Sequence, residues 1–327
     1  MKYIILTWSG GRLGNQLISL IHLLSFKIEH EDISFVNIPL SIYSRSQRID
    51  DLRILCFALL RRTPQEHVLA NKINFESLFF KIYLRLLPFM HVFFKYISVP
   101  SFICSSEYYH LFPTSCHKFF RHSKIINMDQ YFYGRLRPIN LLCGYHFRNY
   151  DLIIKHQKSV ACAISSLFIQ KNLFNHFLSC PIGGQLFVHL RGDDFAKLYP
   201  FYSYPIDKWI DTAIEIQSRM NLDSVVFSTD DRNIERKLNI LLLNDRLSSF
   251  NFSISKGSIL QTGGVMYSFS DMLQSSAILC LPSTLSIEAS YLAGIPVYLM
   301  PEIHSSNTWK GRYPADWSTN SILLTNL

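Results

Sequence analysis

The stretch Gln185–Asp194 reads QLFVHLRGDD, an apolar run with a charged end. Side chains alternate in direction along a strand, so His189 and Arg191 would point to the same face. Gly192 follows the run and would end the strand, which leaves Arg191 and two aspartates at its carboxyl end. In open α/β sheets, ligands bind at that edge. The stretch therefore predicts a strand that leads into a ligand site.

The second half of the chain continues this pattern by alternating strand-like and helix-like segments. Short apolar runs at 224–228, 277–281 and 296–300 predict further strands. Helical patterns predict helices over 206–220 and from 286 to 293. Such alternation is typical of a mostly parallel sheet with helices on both faces.

The first half opens with the same order of elements. The apolar run Ile4–Trp8 predicts a strand, and a glycine loop follows at residues 9–14. Apolar residues then recur close to helical period, and 33–38 predicts a second strand. A helical pattern between residues 150 and 180 joins the two halves. We therefore predict an α/β protein with two domains, residues 1–160 and 161–327.

The composition is that of a folded protein with an anionic partner. Hydrophobic residues make up 48% of the 327 residues and charged residues only 17%, so apolar burial can outweigh chain entropy. The net charge of +8 favours a nucleotide sugar, an anionic membrane surface or nucleic acid. Clustered basic residues with interleaved aromatics occur only around 78–98, so we do not expect nucleic acid as a partner.

The cysteines and the N-terminal residues predict a cytoplasmic location. The seven cysteines form no C-x-x-C pair, which argues against a zinc ribbon or a thioredoxin-type site and fits a reducing compartment. The N-terminal sequence MKYIILTWSGG lacks the long apolar run and the cleavage site of a signal peptide.

Residues 78–99 form the most apolar stretch of the chain. Lys81, Arg85 and Lys95 interrupt it, and a membrane-spanning helix rarely holds three such charges. Cations among Phe and Leu are typical of a helix that lies on a membrane interface. They also suit a helix packed on the core whose basic side chains reach solvent. Both interpretations stay open, and the first predicts a peripheral membrane contact through 78–98.

The glycine loop at 9–14 could bring backbone close to a ligand. Ser9 stands where the dinucleotide fingerprint needs its first glycine, and no acid follows the second predicted strand. The loop also lacks the Gly-Lys-Ser/Thr of a P-loop. At the start of a helix, the backbone at Gly14 could still approach a ligand, and Arg12, Asn15 and Gln16 could reach it. The alternative is a purely structural turn between strand and helix.

Charged residues follow two of the predicted strands. Arg191 could grip a diphosphate with its planar guanidinium, and Asp194 could orient it or bind an acceptor. An ordinary ion pair that caps the strand is the alternative. Asp230 and Asp231 follow the strand at 224–228, where a carboxylate could accept a hydrogen bond from a base or ribose. Either could instead be the N-cap of the next helix, and their arrangement gives little support to a metal site.

Hydroxyl residues follow the strand predicted at 277–281. Ser283 and Thr284 stand at the predicted start of a helix, where unpaired backbone N–H groups and the helix dipole favour a phosphate. The side chains would add further donors. The alternative is that one of the two residues is only a helix cap.

These features, in this order, resemble the bacterial α-1,2-fucosyltransferases of glycosyltransferase family 11. Four family motifs have counterparts here: the G-G-L-G-N-Q loop, the H-x-R-x-x-D motif, the F-S-D-D strand end and a serine-rich C-terminal run. The matching residues are Gly10, Gly11, Leu13, Gly14, Asn15 and Gln16, with Arg12 inserted; His189, Arg191 and Asp194; Phe227, Ser228, Thr229, Asp230 and Asp231; and Ser275 to Ser286. The chain departs from the family at Gly192, where a second arginine is common.

The resemblance implies a GT-B type protein, in which two Rossmann-like domains face a cleft. The N-terminal domain would bind the acceptor and the C-terminal domain the nucleotide sugar. It also implies inverting transfer of L-fucose from GDP-fucose to a galactoside-type hydroxyl, with neither a metal nor a cofactor. The acceptor would be an oligosaccharide or lipid-linked glycan of O-antigen or another surface polysaccharide. Such an enzyme would work at the inner face of the bacterial plasma membrane.

The resemblance also suggests roles for individual residues. Arg191 would bind the diphosphate, Ser283 and Thr284 the phosphate end, and Asp230 or Asp231 the nucleoside. His189 belongs to the donor motif, Gly14 and Asn15 would reach the donor from the N-terminal loop, and Asp194 is the candidate base. The alternatives are another GDP-deoxysugar donor, protein O-fucosylation and, more remotely, a dinucleotide-dependent oxidoreductase.

Overall fold

The structure is a computed structural model of the whole chain. It describes residues 2–8, 13–37, 86, 89–90, 92–93, 96, 101–103, 126–127, 136–143, 147–170, 184–192, 204–243, 250–261, 265–281, 283–300 and 321–323. The chain divides into two compact units, one with Met1–Arg61 and Gln65–Leu167, the other with Arg62–Pro64 and Phe168–Leu327. The boundary expected after residue 160 and the observed one after Leu167 both fall within one helix, Gln157–Gln170.

The first unit contains a parallel sheet. Its strands are β1 (Lys2–Trp8), β2 (Ile33–Asn37), β3 (Ser101–Ile103), β4 (Ile126–Asn127), β5 (Ile139–Cys143) and β6 (Phe147–Arg148). The helices described with bounds in this unit are α1 (Leu13–Glu29), α2 (Tyr150–Lys155) and α3 (Gln157–Gln170). The main sheet has the order β2-β1-β5-β3, and β4 pairs with β6. The predicted order of strand, helix and strand at the N-terminus is confirmed; residues 9–12 of the glycine loop lie outside the described residues, and Leu13 and Gly14 already belong to α1.

The second unit contains a six-stranded parallel sheet. Its strands are β7 (Gln185–Leu190), β8 (Ser224–Thr229), β9 (Phe252–Ile254), β10 (Ala277–Cys280), β11 (Val297–Leu299) and β12 (Ser321–Leu323). Its described helices are α4 (Ile206–Met220), α5 (Arg232–Leu242), α6 (Val265–Gln274) and α7 (Thr284–Ala293). Each strand predicted in this half is present, within a residue of its expected bounds.

The strand order of the second sheet defines its fold. The order β9-β8-β7-β10-β11-β12 becomes 3-2-1-4-5-6 when the strands are counted from β7. This is the strand order of the Rossmann fold. The predicted α/β class, with a parallel sheet in each half and a Rossmann-like second half, is therefore confirmed. How the two units face each other stays a prediction.

Burial on both faces holds the second sheet in place. All six residues of β7 are buried, as expected for a central strand covered by helices on both sides. Helix α4 supplies one of these covers, with buried side chains at the spacing of one helical face: Trp209, Ile210, Thr212, Ala213, Ile216 and Gln217. The end of β7, where the predicted site begins, therefore belongs to the buried core of the unit.

The described residues around 78–99 give partial information about the apolar stretch. Leu86, Phe89, Met90, Val92, Phe93 and Tyr96 are helical, and the rest of the stretch lies outside the described residues. Leu86, Phe89 and Tyr96 are 52%, 63% and 87% exposed. Within the described part of the chain, no helix has the length and apolar character needed to span a bilayer.

Candidate functional site

Three neighbouring strands of the second unit end at the candidate site. β7 pairs with β8 on one side and with β10 on the other, and His189 is aligned with both Ser228 and Cys280. From β7 the chain runs outward through β8 and β9, then returns to place β10 on the opposite side of β7. The switch point of the sheet therefore lies between β7 and β10. Open α/β proteins bind ligands outside the carboxyl ends of the strands at such a point.

A buried hydrogen bond crosses this switch point. His189 Nδ1 lies 2.7 Å from the Oγ of Ser286, which belongs to the first turn of α7. His189 is only 7% exposed, and Ser286 is fully buried. Burial raises the pKa of the neighbouring Cys280 thiol to about 12, against smaller lowering effects of the Ser286 hydroxyl and the Ser283 backbone N–H. The end of β7 is thus tied to the start of α7.

Burial keeps the His189 imidazole neutral. Desolvation, with a smaller contribution from the Arg191 charge, lowers the pKa of His189 from 6.5 to about 3. A neutral imidazole carries one N–H donor and one acceptor nitrogen. His189 can therefore offer a hydrogen bond to a ligand without adding a positive charge.

Arg191 supplies the positive charge at this edge. Its Nε lies 3.7 Å from the Asp230 carboxylate Oδ2, and its side chain remains 17% exposed. Asp230 follows β8 and accepts a hydrogen bond of 2.8 Å from the Gly192 N–H at Oδ1. An Arg–Asp ion pair, the alternative considered for this strand end, is therefore present with Asp230. Asp193 and Asp194 lie outside the described residues.

Gly192 is packed too tightly to accept a side chain. A Cβ atom at this position would lie 2.5 Å from the Cβ of Asp231 and 2.9 Å from its Oδ2. Contacts this short do not occur between real side chains, so Asp231 would have to move. A glycine at position 192 therefore has a structural reason in this chain. A second arginine cannot stand there while Asp231 keeps its place.

Asp231 is the N-cap of α5. Its Oδ1 accepts the backbone N–H of Asn233 at 2.7 Å and that of Ile234 at 3.2 Å. The backbone at Asp231 is extended, as an N-cap residue requires. Of the two acids expected to bind the nucleoside, Asp231 thus has a structural task, while Asp230 lies beside Arg191.

The first turn of α7 has the features of an anion site. Ser283 is the N-cap residue, is only 2% exposed, and makes no cap hydrogen bond with its side chain. Its Oγ has no hydrogen-bond partner among the described residues. Thr284 begins the helix and is partly exposed. The first N–H groups of a helix have no acceptor within it, and with the dipole they attract an anion.

A buried carboxylate supports the edge of the site behind Asp230. Glu235 in α5 is fully buried and accepts hydrogen bonds from Ser258 Oγ at 2.7 Å, the Leu260 N–H at 2.8 Å and Gln261 Nε2 at 2.7 Å. The Ser258 Oγ in turn accepts the N–H of Thr229 at 3.2 Å. These contacts fix the loop after β9 against the end of β8.

The structure therefore brings together part of the predicted site. Arg191, His189, Asp230 and Ser283 lie at the carboxyl edge of one sheet, with Thr284 beside them. Gly14 is buried in α1 of the first unit, and the side chain of Asn15 lies outside the described residues. The proposed roles of all these residues stay predictions. Among the described residues there is no cluster of three or more His, Cys, Asp or Glu that could hold a metal ion.

Sequence reasoning missed Ser286, Cys280 and Glu235. Ser286 and Cys280 carried a usable signal, because a strand that ends at Cys280 and a helix that begins near Ser283 would bring them beside His189. Glu235 carried no comparable signal, since its partners lie in a loop 23 to 26 residues further along the chain.

Comparison with known proteins gives likeness of structure and none of sequence. No family model matches the chain, and no curated protein matches its sequence. The chain is similar to POFUT1 in complex with GDP, at 12% identity over 90% of this chain and 95% of that chain, with a TM-score of 0.44. For E. coli heptosyltransferase WaaC with ADP-2-deoxy-2-fluoro heptose the identity is 11%, the match covers 99% of this chain and 92% of that chain, and the TM-score is 0.46. For Arabidopsis thaliana FUT1 in complex with GDP the identity is 11%, the match covers 94% of this chain and 71% of that chain, and the TM-score is 0.47. The function therefore has to be inferred from the chain's own residues.

Proposed function

We propose that this chain is a glycosyltransferase that transfers L-fucose from GDP-fucose to a sugar hydroxyl. The observation that carries the proposal is the meeting of Arg191, Asp230 and the start of α7 at the switch point of a Rossmann-ordered sheet. A nucleoside diphosphate needs positive charge for its phosphates and an acceptor for its ribose. Both kinds of group are present at this edge.

The diphosphate would lie between Arg191 and the first turn of α7. In glycosyl transfer from a nucleotide sugar, negative charge grows on the departing diphosphate. A guanidinium and a helix N-terminus can stabilise that charge where it develops. The buried Ser283 hydroxyl, which has no partner among the described residues, would add a donor. Protein groups alone would then neutralise the leaving group, in keeping with a metal-independent and cofactor-free reaction.

The nucleoside would lie towards Asp230. In Rossmann folds an acid at the end of the second strand hydrogen-bonds the ribose. Asp230 directly follows β8, the second strand of this sheet. Its carboxylate also contacts Arg191, so one acid would orient the guanidinium and accept the ribose hydroxyl.

The acceptor side of the reaction rests on the resemblance to family 11. We infer an inverting α-1,2 transfer to a galactoside-type acceptor, with Asp194 as the base that deprotonates the hydroxyl. Gly14 and Asn15, in the first turn of α1, would contact the donor from the acceptor-side unit. The product would be a glycan of O-antigen or another surface polysaccharide.

If the enzyme is cytoplasmic and its acceptor is lipid-linked, contact with the inner face of the plasma membrane would bring the enzyme close to that acceptor. Supporting this, Leu86, Phe89 and Tyr96 are helical and more than half exposed. Lys81, Arg85 and Lys95 belong to the same stretch. Apolar side chains with neighbouring cations are suited to an anionic interface.

Vesicle flotation tests this membrane contact. We expect binding to phosphatidylglycerol vesicles that is weakened by Leu86→Ser with Phe89→Ser. Ile240→Ser with Leu243→Ser is the matched control, because both side chains are exposed, at 71% and 84%, on the other unit. Equal binding by both double variants would contradict the proposed contact.

A donor screen tests the reaction itself. Nucleotide release is measured from GDP-fucose, GDP-mannose and UDP-sugars in the presence of a galactoside acceptor. We expect release from GDP-fucose that depends on the acceptor. Release from a different GDP-deoxysugar would keep the reaction class and change the donor, and a peptide acceptor would indicate protein O-fucosylation. Quenching of NADPH fluorescence, with no nucleotide release, would instead indicate an oxidoreductase.

A further inference from the structure

The order of the strands sets the direction in which a nucleotide would lie along the site. Arg191 follows β7, Asp230 follows β8, and α7 begins after β10, on the far side of β7. Neighbouring strands lie about 4.8 Å apart, so the groups proposed for phosphate and ribose form a row along the edge of the sheet. In a nucleotide the ribose stands between the phosphates and the base. The row therefore continues past Asp230 to the ends of β8 and β9, where the base would lie.

Leu260 reaches this place from the loop after β9. The N–H of Ile259 donates to the carbonyl of Thr229, the last residue of β8, at 2.9 Å. The N–H of Leu260 donates to Oε2 of Glu235, in the first turn of α5, at 2.8 Å. These bonds fix the backbone of the loop at the end of β8, and Leu260 itself stays 40% exposed.

Tyr267 reaches the same place from α6. The C-terminal end of α6 lies at the amino edge of the sheet, because Ser275, just after the helix, accepts a hydrogen bond of 3.0 Å from the side chain of Gln185 at the start of β7. Ser268 Oγ lies 2.7 Å from Ser228 Oγ, near the end of β8. The first turn of α6 therefore lies at the carboxyl edge, and Tyr267 in that turn is 49% exposed.

Leu260 and Tyr267 flank the end of β8 from opposite faces of the sheet. Phe227 and Ser228 are successive residues of β8, so their side chains point to opposite faces. Phe227 belongs to the same buried cluster as Leu238 of α5, whereas Ser228 contacts α6. Leu260, whose N–H is bonded to α5, and Tyr267, which belongs to α6, therefore stand on the two sides of the strand end.

We propose that Leu260 and Tyr267 form the two walls of a site for the base of the donor nucleotide. The proposal rests on the proposed function, because it places one part of that donor. A base has two flat apolar faces, and an aromatic ring stacks well on such a face. The backbone bonds that hold both residues form without a nucleotide, so little ordering is needed when the base binds.

The position of the two residues favours the base over an acceptor sugar. The terminal phosphate carries the sugar that is transferred, so the acceptor has to meet it at the phosphate end of the row. That end lies at Arg191 and the start of α7. Leu260 and Tyr267 stand at the other end, beyond Asp230.

Titration of GDP into the wild-type chain and its variants tests the base site. Tyr267→Ala should weaken GDP binding about 5- to 150-fold, the usual value of one stack between a base and an aromatic ring. Leu260→Ala should give a smaller loss, and Tyr267→Phe should keep the affinity because it keeps the ring. Ile240→Ala is the matched control, since Ile240 is 71% exposed in the last turn of α5, away from the edge. Unchanged GDP affinity in Tyr267→Ala would overturn the proposal.

Inorganic pyrophosphate, which has no base, separates a lost stack from a damaged site. It should bind Tyr267→Ala and the wild-type chain equally. A loss for pyrophosphate as large as that for GDP would mean that the variant disturbs the phosphate site. A raised acceptor KM with unchanged GDP affinity would place an acceptor sugar on Tyr267. Either result would overturn the base site.

Titrations with ADP and UDP separate this inference from the proposed function. If ADP or UDP binds in place of GDP and loses affinity in Tyr267→Ala, the base site stands and GDP-fucose is rejected as the donor. If GDP binds and its affinity is the same in Tyr267→Ala, only the base site is rejected. If none of the three nucleotides binds the wild-type chain, both proposals are rejected.

Discussion

The guanidinium of Arg191 and the carboxylate of Asp230 form an ion pair across the ends of β7 and β8, with Nε 3.7 Å from Oδ2. The contact is partly buried, and Gly192 holds the same carboxylate from its N–H. Asp230 is therefore fixed by the backbone even without the arginine. This allows the charge of Arg191 to be removed while the acid keeps one of its contacts.

Arg191→Ala should lower the turnover of the proposed transferase by about 10²- to 10³-fold, the usual loss when a group that stabilises developing charge is removed. Arg191→Lys should also be poor, because an ammonium lacks the planar fork of donors. The measurement is GDP release with thermal unfolding as a check on the fold. Arg219→Ala, which removes a largely exposed arginine paired with Glu215, is the control and should keep full activity. Near-normal turnover of Arg191→Ala would reject the site.

Asp230 and Asp231 should separate function from stability. Asp231→Ala removes the N-cap of α5 and should cost about 1 kcal/mol of unfolding free energy with activity largely kept. Asp230→Asn keeps an oxygen for the Gly192 N–H but loses the charge beside Arg191, so it should lower activity more than stability. Urea unfolding and GDP release measure the two effects. The reverse pattern would place the nucleoside at Asp231.

Sequence reasoning placed the central elements because they carry strong local signals. The run QLFVHL is apolar throughout and gives β7, and 206–220 predicted α4 with its observed bounds. α5 was expected only as the next helix that Asp230 or Asp231 could cap, with no bounds; in the structure Asp230 follows β8 and Asp231 is the N-cap.

The site was predictable in outline because parallel strands end at a common edge. Residues just after β7, β8 and β10 had to come close together once the sheet was parallel. The identity of each contact was not predictable, because it depends on strand register. The choice of Asp230 as the Arg191 partner and the bond from His189 to Ser286 follow from the pairing of β7 with β8 and β10.

Gly192→Ala should damage the site through packing. Its Cβ would lie 2.5 Å from that of Asp231, so we expect a loss of about 1–3 kcal/mol in unfolding free energy, as in other overpacked positions, together with lower activity. Gly294→Ala is the matched control. Gly294 has a left-handed φ of 68° but nothing within 4 Å of the added carbon, so it should cost about 1 kcal/mol and spare activity. Full activity of Gly192→Ala would show that Asp231 can move without disturbing the site.

His189 should make the stability of the protein depend on pH in a definite window. Its pKa is about 3 in the folded state against 6.5 in its ordinary state, so between these values the unfolded chain binds more protons. Stability should therefore fall as the pH drops from 6.5 towards 3, and His189 should have no such effect above 6.5. His189→Gln, which cannot take up the proton, should remove this part of the dependence.

Urea unfolding at about pH 5 and about pH 7.5 measures the effect. The free energy of unfolding that the wild-type chain loses between the higher and the lower pH should be about 2 kcal/mol larger than the loss in the variant. Equal losses in the two proteins would mean that the imidazole can be protonated in the folded state, and the neutral donor at the switch point would then be ruled out.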